Sequence, residues 1–407
     1  MLKIFIVSSL FFISGICFSQ TTGEVSGRVI DRSNQQPLQD VSVSVLKNKI
    51  VISGSVSDEK GFFKIDEIPV GEYTIRLSLV GFNPLFIDNI VVNSGAPADV
   101  FAELEIVSTE LIEITEERFR NPNDISNSFK NLNYEEIRRA PGGFEDIGRV
   151  VQTLPGVSFV NDGRNDLIVR GGSPSENLFL VDNSVVPNIN HFGSQGSTGG
   201  PISIINLELL REINFVTGGF SAKYGDKLSS ILELKLREGS REKFLSDINL
   251  SATGFGAVFE GPIGSEKKGS WIFSARRSYL DLIFNASGFG FVPAYSSAQL
   301  KAVYDFNDKN SLTVNAYGNL DNVKFNNDTE ENIQDNETIL DNDQKGYVNT
   351  FELKSLISKK SFALFNLGRT YNNFKYLGRD SLFNDVFRNN SKRKRNHSES
   401  GILPFTR

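Results

Sequence analysis

The sequence contains very little cysteine, methionine and tryptophan, with one residue of each among 407. The lone cysteine, Cys17, lies in the N-terminal segment, so the chain after it has no means of forming a disulfide or a cysteine-based site. Only two histidines occur, His191 and His397, which argues against a histidine-based metal centre or catalytic triad. No G-x-S-x-G, H-E-x-x-H or phosphate-loop motif is present, so we expect no catalytic residues, no cofactor and no enzyme.

Long apolar runs are also missing. Residues 1–19 place Lys3 before a short apolar core and small residues before Gln20, which predicts a secretory signal peptide rather than a membrane-spanning helix. Ile16 is bulkier than the residue that a lipoprotein signal places before its cysteine, so we do not expect lipidation. After the signal no run reaches about 18 apolar residues, and no transmembrane helix is expected. The net charge of −6 argues against binding to nucleic acid.

The residues that are plentiful favour β structure, since the chain has 33 phenylalanines, 10 tyrosines and 35 glycines. Residues 20–106 contain short alternating segments at intervals of about 8–12 residues, separated by turn residues at 34–37, 58–61 and 69–71. This spacing is typical of a small antiparallel β-sandwich. The words V-S-G-R-V-I-D, S-D-E-K-G-F-F-K-I and P-V-G-E-Y-T-I-R-L-S-L-V-G-F in this region resemble the carboxypeptidase-regulatory-like domain. The resemblance implies a module without catalytic residues, serving either as a carbohydrate- or partner-binding domain or as a periplasmic spacer.

Residues 134–238 have a mixed pattern. Asn133 precedes a short helical segment with acidic residues in its first turn, and residues 144–154 form an amphipathic run that ends at Pro155. Residues 168–183 read I-V-R-G-G-S-P-S-E-N-L-F-L-V-D-N, and we interpret them as a β-hairpin whose glycine pair allows a tight turn or a close backbone approach.

The same landmarks, together with V-T-G-G-F-S-A-K-Y-G at 216–225, resemble the plug domain of TonB-dependent outer-membrane receptors of the Bacteroidetes type. The resemblance implies an α+β plug domain and a plug motif, in which Asn183 replaces a common glycine but tolerates the same left-handed turn. The plug-motif residues are Arg170, Gly171, Gly172 and Asp182. Candidate solute contacts in the adjoining loops are Ser173, Ser175, Glu176, Asn177 and His191. For His191 the alternative is a packed loop histidine.

Residues 107–133 form a polar connection that contains a short alternating segment. An extended segment of this kind can add a strand to the sheet edge of a partner protein. In the TonB-dependent receptors that this chain resembles, an extended segment of this kind, the TonB box, lies just before the plug. The candidate residues for it here are Leu111, Ile112, Glu113, Ile114 and Thr115. The alternative is an ordinary last strand or linker.

Residues 239–407 alternate apolar and polar residues, as in 298–306 and 312–316, which is the pattern of outer-membrane strands. We count about six strands up to Tyr371 and predict a β-bulge near Thr253–Gly254, where the parity of the apolar residues changes. The expected fold is therefore mainly β: a sandwich, a plug, and antiparallel strands of a transmembrane β-barrel. Because the family barrel has about 22 strands, we expect this segment to be the N-terminal part of a truncated barrel, and the chain to be a fragment.

The resemblance implies a receptor of the outer membrane, with its N-terminal domains in the periplasm, that takes up an iron chelate, cobalamin, glycan or peptide. The implied partners are TonB with ExbB and ExbD, outer-membrane lipid, the extracellular solute and, in some relatives, a surface lipoprotein. The alternative is a secreted or periplasmic binding or adhesion module without transport activity.

Overall fold

The computed structural model describes residues 22–94, 97–107, 129–143, 146–159, 164–193, 199–220, 224–250, 254–264, 267–288, 290–325, 329, 332, 341–358, 361–379 and 385–404. The chain divides into two compact units, with the boundary between residues 110 and 111. The fold is mainly β, as the sequence predicted. Within the described residues, the helices are too short or too polar to cross a membrane.

The first unit consists of two packed β-sheets. Its strands are β1 (Thr22–Asp31), β2 (Ser42–Lys47), β3 (Ile50–Val56), β4 (Phe62–Pro69), β5 (Gly71–Ser78), β6 (Leu85–Val92) and β7 (Ala98–Leu104). One sheet has the order β4-β1-β7 and the other the order β3-β2-β5-β6. Alternate residues of both sheets, such as Val43, Ile75 and Val100, are buried between them, because side chains along a strand point to opposite faces.

One pairing in this unit differs from the antiparallel sandwich that the sequence predicted. Strand β1 pairs antiparallel with β4 but parallel with β7, from Val25 opposite Ala98 to Asp31 opposite Leu104. The alternation of apolar residues is the same in parallel and antiparallel strands, so the sequence pattern contained no information about this direction.

The first part of the second unit is a mixed sheet with short helices. Its elements are β8 (Phe129–Asn133), α1 (Tyr134–Arg138), α2 (Ile147–Gln152), β9 (Val157–Ser158), β10 (Ile168–Val169), β11 (Asn177–Val181), β12 (Ser184–Val186), β13 (Asn190–His191), β14 (Ile202–Ser203), β15 (Leu210–Val216) and β16 (Ser230–Leu236). Five of the strands form a sheet of order β12-β11-β16-β15-β8, in which β11 and β16 are parallel.

Each helix of this part begins directly after a residue whose side chain caps its first turn. The side chain of Asn133 accepts a hydrogen bond from the backbone N–H of Glu136, and the Glu136 carboxylate accepts one from the backbone N–H of Asn133, so α1 begins with a capping box. Asp146 caps α2 by accepting from the backbone N–H of Arg149. Ile147 and Val151 of α2 are fully buried in the core over the mixed sheet.

The rest of the second unit is an eight-stranded antiparallel sheet in sequential order, which we call the wall. Its elements are β17 (Leu245–Leu250), β18 (Gly254–Ile263), β19 (Gly269–Ser278), α3 (Leu280–Ala286), β20 (Phe291–Asn307), β21 (Asn310–Phe325), β22 (Asp341–Ser358), β23 (Ser361–Arg379) and β24 (Asp385–Pro404). The turns that precede β19, β21 and β23 are short, whereas longer connections precede β20 and β22. Short turns at one end of a barrel and longer loops at the other give such an alternation. The connections before β18 and β24, at the same end as the longer ones, are short as well.

The bulge predicted near Thr253–Gly254 is wrong. The chain reverses there, and β17 and β18 pair as two antiparallel strands, with Leu250 opposite Phe255 and Ile248 opposite Ala257. Residues directly opposite in such a pair share a face, so the change of parity in the sequence marks a hairpin. The strand count up to Tyr371 was consequently one too low, since seven wall strands rather than about six begin before that residue.

One face of the wall packs on the mixed sheet and the other carries an apolar band. Val348 and Thr350 are 5% and 2% exposed, whereas Phe351 and Leu353, on the other face of the same strand, are 47% and 40% exposed. The opposite residues on β23 continue the band, because Leu367 lies across from Phe351 and Phe365 from Leu353. An outward apolar face of this kind suits contact with lipid.

Candidate functional site

The glycine pair of the plug motif allows both a turn and a close approach. Arg170 and Gly171 have positive φ angles of 50° and 80°, so the chain turns sharply at the end of β10. A Cβ on Gly172 would lie 1.8 Å from Oγ of Ser229, which leaves room only for a hydrogen. Glycine at 171 therefore provides the backbone conformation, and glycine at 172 provides the space for the neighbouring strand.

Residues 168–183 do not form the β-hairpin that the sequence predicted. Strand β10 pairs with β9, whereas β11 pairs with β12 and β16 in the five-stranded sheet. Between them, residues Pro174–Glu176 form a single 3₁₀ turn that redirects the chain into the second sheet. Strands β10 and β11 are therefore close in sequence but pair in different sheets.

The five candidate solute contacts fall into two groups. Ser173 and Ser175 lie in the turn, and Glu176 accepts a hydrogen bond from the hydroxyl of Ser229 at 2.7 Å. Asn177 is only 2% exposed, donates to the carbonyl of Leu167 at 2.7 Å and so packs inside the fold. His191 is fully buried as well, as in the alternative given for it, a packed loop histidine.

Asp182 and Asn183 form the tight turn between β11 and β12. Both have positive φ angles, 44° and 63°, which agrees with the left-handed turn expected at Asn183. Asp182 accepts from the backbone N–H of Leu236 and lies 2.9 Å from Nζ of Lys301 on the wall. Lys301 also donates to the carbonyl of Leu236 at 2.7 Å, so its buried ammonium joins two strands of the mixed sheet to β20.

His191 is the centre of a second contact with the wall. Its Nδ1 lies 2.5 Å from Oδ1 of Asp321 on β21, and its ring stacks on Tyr295 of β20 with the ring centroids 4.3 Å apart. The backbone N–H of Phe192 donates to the other carboxylate oxygen of Asp321 at 3.1 Å. One carboxylate therefore holds two consecutive residues of the loop.

A third contact lies between these two. The backbone N–H of Asn206 donates to the side-chain oxygen of Gln299, and the side-chain amide of Asn206 donates to the hydroxyl of Ser274 at 2.6 Å. The buried guanidinium of Arg276 donates to the carbonyls of Ser203 and Ile204. No motif in the sequence pointed to these residues, and the alternation of polar residues along the wall strands was the only signal available.

Asp146 ties the interior of this region together. Its carboxylate accepts from the side-chain amide of Asn165 at 2.8 Å and from the backbone N–H of Ser203 at 2.7 Å, in addition to capping α2. Burial raises the pKa of Asp146, and the hydrogen bonds from Ser203 and Arg149 oppose that rise. The loop that contacts the wall is thus joined to the helix below it.

Comparison with known proteins identifies two segments of the chain. Residues 24–105 match the carboxypeptidase regulatory-like domain, and residues 121–229 match the TonB-dependent receptor plug domain. The chain carries a TonB-dependent receptor plug domain. Both resemblances drawn from the sequence, to the carboxypeptidase-regulatory-like domain and to the plug domain of TonB-dependent receptors, are confirmed.

Three longer proteins are similar to parts of this chain. The TonB-dependent transporter Oar of Myxococcus xanthus is 27% identical over 237 residues, which cover 55% of this chain and 21% of Oar. A mutant ferric enterobactin receptor of Pseudomonas aeruginosa, solved with enterobactin, is 12% identical with a TM-score of 0.52, covering 70% of this chain and 48% of the receptor. A second mutant of that receptor is 13% identical with a TM-score of 0.50, covering 67% and 46%. The chain therefore spans less than half of these proteins, and at such low identity the two structures establish the fold alone.

The segment that leads from the plug domain to the wall is held by arginines. Arg237 donates to both carboxylate oxygens of Glu260 on β18 at 2.9 Å each, and the same carboxylate accepts from the backbone N–H of Ser240. Arg241 pairs with Glu238 and, at 2.8 Å, with Asp305 near the end of β20. The TonB-box candidates, residues 111–115, lie outside the described residues.

Proposed function

We propose that this protein is a TonB-dependent receptor of the outer membrane that takes up an extracellular solute. In this proposal the plug domain closes the space enclosed by the wall until TonB pulls on it from the periplasm. The solute-contact roles of Ser173, Ser175 and Glu176 remain part of this proposal.

The observation that carries the proposal is the docking of the plug domain on the polar face of the wall. Three contacts lie at inward positions along β20: Lys301 with Asp182, Gln299 with Asn206, and Tyr295 with His191. Beside the apolar cluster that wall residues such as Val258 and Ile272 share with the plug core, all three are polar or aromatic contacts. Such contacts hold the plug in one position yet can separate without unfolding the wall, because water can replace each hydrogen bond.

The direction of force follows from the chain order. Residues 111–115 precede the plug domain, so a partner that pairs with them pulls on the plug through β8. We propose TonB as that partner, energised by ExbB and ExbD, with the first unit in the periplasm and the wall in lipid. Export through the signal peptide at residues 1–19 is part of the same proposal.

The near absence of cysteine provides a test of the TonB contact. Cys17 is the only cysteine, so Ile112→Cys introduces a unique thiol after the signal segment. We expect it to form a disulfide with a cysteine placed in the sheet edge of TonB. The matched control is Ser126→Cys, which lies between the candidate box and the plug strands. Equal cross-linking of both variants, or none from any position in 111–115, contradicts the TonB-box assignment.

Cell fractionation distinguishes an outer-membrane receptor from the alternative, a secreted or periplasmic binding module. A secreted or periplasmic binding module leaves the eight-stranded wall and its exposed apolar band without a role. We expect the protein in the outer-membrane fraction after a carbonate wash, with the resident outer-membrane barrel proteins as the reference. Recovery in the soluble periplasm or the medium contradicts the receptor.

A further inference from the structure

The outer face of the wall has a group of cations at one edge of its apolar band. Arg369 of β23 follows Leu367 of that band by two residues, so the two side chains lie on the same face, and both are exposed. Tyr371 is the next residue on this face, and Lys394 of β24 lies directly opposite it. Lys392 precedes Lys394 by two residues, and both lysines are exposed. Arg369, Lys392 and Lys394, which we call the outer cations, therefore share one face of two neighbouring strands.

Two tyrosines mark where the apolar band ends. Tyr347 of β22 lies opposite Tyr371 of β23, and their rings stack with the centroids 5.3 Å apart. Tyr347 precedes Phe351 of the band by four residues, so the pair continues the same face towards the start of β22, which a longer connection precedes. In barrels of the outer membrane, aromatic residues form girdles where hydrocarbon meets polar head groups. With the wall in lipid, the outer cations therefore lie at the level of the head groups.

The outer cations have no counter-charge within the described part of the wall. No described side chain forms an ion pair with Arg369, Lys392 or Lys394. Asp343, which shares their face on β22, already pairs with Lys375 of β23 at 3.4 Å. A cation turned towards lipid is unfavourable, and the penalty falls as it approaches the polar head groups. The outer cations therefore leave room for an anion that the described residues do not supply.

We propose that the outer cations bind the phosphate groups of a phosphorylated glycolipid in the outer leaflet of the membrane. A guanidinium such as that of Arg369 donates two parallel hydrogen bonds to one phosphate, and the two lysines add compact positive charges beside it. Clusters of lysine and arginine at a membrane surface recognise anionic head groups through these interactions. This inference rests on the proposed function, because it requires the wall to lie in the outer membrane, and it names the class of lipid and the residues that bind it.

The position of the outer cations favours a lipid over a free phosphate ion. Lysine and arginine stems lie along apolar surface while their charged ends reach the polar layer. Leu367 and the stacked pair of Tyr347 and Tyr371 lie on the same face, so a ligand that carries acyl chains gains apolar contact and charge compensation in one place. A free phosphate gains only the charge compensation and loses part of its hydration.

Lipid binding to the full chain, purified in detergent, tests the inference. The two probes are lipid A that retains its phosphates and the same lipid A after enzymatic dephosphorylation, each titrated and followed by native mass spectrometry. We expect the phosphorylated form to bind at least about tenfold more tightly, because each cation near an anionic surface contributes about fivefold. The triple variant Arg369→Gln, Lys392→Gln, Lys394→Gln should lose this preference. The variant Arg369→Lys, Lys392→Arg, Lys394→Arg keeps the charges and should keep the preference.

The matched control removes three positive charges from the first unit instead. Lys47→Gln, Lys49→Gln and Lys60→Gln change exposed residues outside the wall, lower the net charge equally and should leave the preference intact. Three outcomes overturn the inference: both lipid forms bind equally, the control triple loses the preference as fully as the outer-cation triple, or the charge-conserving variant loses it too. Displacement of the lipid by inorganic phosphate at low millimolar concentration assigns the outer cations to free anions and overturns the lipid class.

Failure of this inference can be distinguished from failure of the proposed function. The lipid titration takes place in detergent and needs neither TonB nor a solute. Recovery of the protein in the outer-membrane fraction, together with equal binding of the two lipid forms, removes only the outer-cation site. Recovery in the soluble periplasm contradicts the receptor whatever the lipid titration gives.

Discussion

At the scale of single residues, buried charges hold the plug domain to the wall. The side chain of Lys301 is 8% exposed and that of Asp182 is 13% exposed, so neither charge is well hydrated. Taking one partner away from such a pair costs more than the pair contributes, because the remaining charge stays buried without compensation.

The first prediction concerns this pair. Asp182→Asn should destabilise the docked plug by about 3 kcal/mol, since Lys301 then keeps the carbonyl of Leu236 and the weaker attraction of Glu352 but loses its direct ion pair. Adding Lys301→Met should restore part of the loss, because the double variant buries no charge. Hydrogen exchange of the β11 and β12 amides reports the effect. Additive losses in the double variant would show that the two charges do not interact.

The second prediction concerns Glu212 of β15. Burial opposes its ionisation, but Lys235 and Arg211 outweigh this and lower its pKa from 4.5 to about 2. Since the folded pKa is depressed, its stabilising contribution is complete above about pH 4.5 and is lost as the pH falls toward 2. We therefore expect the free energy of unfolding of Glu212→Gln, plotted against pH, to fall less steeply than that of the wild type between about pH 4.5 and 2. Parallel curves for the variant and the wild type would refute this role.

At the scale of elements, turn chemistry decides where strands end. Asn183 has a φ of 63°, a conformation that glycine and asparagine adopt at little cost and β-branched residues do not. The turn it forms brings β11 and β12 into register, with Val181 opposite Ser184. The plug face that meets Lys301 depends on this register.

The third prediction tests that turn. Asn183→Gly should change the free energy of unfolding by less than about 1 kcal/mol, whereas Asn183→Val should lower it by about 1–2 kcal/mol. The glycine variant is the control for the lost contact with Glu352, since both substitutions remove it. Denaturant unfolding of the two variants gives the difference, and equal losses would place the cost in the Glu352 contact instead.

Local features of this fold were predictable from sequence, and the choice of strand partners was not. The cap at Asn133, the space required at Gly172 and the turn at Asn183 depend on residues within a few positions or on a bare glycine, and the structure has all three. The apolar alternation also located the wall strands. The alternation does not show which strand is the partner or whether the pair is parallel, however, because its period of two is the same for every pairing.

The errors follow from that limit. Residues 168–183 look like a hairpin, yet β11 lies beside β16, whose sequence begins 53 residues later at Ser230. The partner of His191 is Asp321, 130 residues away, and no local pattern connects the two. Asn319 of β21 and Asn372 of β23 both approach Gly346 of β22, and this contact likewise exists only once the three strands are in register.

At the scale of the whole molecule, the two units have separate cores. The first contains Val25, Val43, Ile75 and Leu104 among residues of its own sequence only. A domain with its own buried core has the main requirement for folding alone.

The fourth prediction follows from that separation. A fragment of residues 20–107 should unfold cooperatively and give a dispersed amide spectrum. Val43→Ala, which removes two buried methyl groups, should lower its free energy of unfolding by about 1–3 kcal/mol. The exposed Val51→Ala on the edge strand β3 is the control and should change little. A fragment without a cooperative transition would show that the first unit needs the second.

The pairing of β11 with β16 determines the order in which parts of the chain can fold. Strand β11 remains without its parallel neighbour until the chain as far as Leu236 is present, and Asn183 meets Glu352 only 169 residues later. Contacts of such long separation make folding slow, because loop closure comes before any gain from the contact. During that interval the apolar edge of Leu178–Val181 lies open to other chains. We therefore expect maturation to depend on holdase chaperones, and aggregation to begin at β11 when their supply falls short.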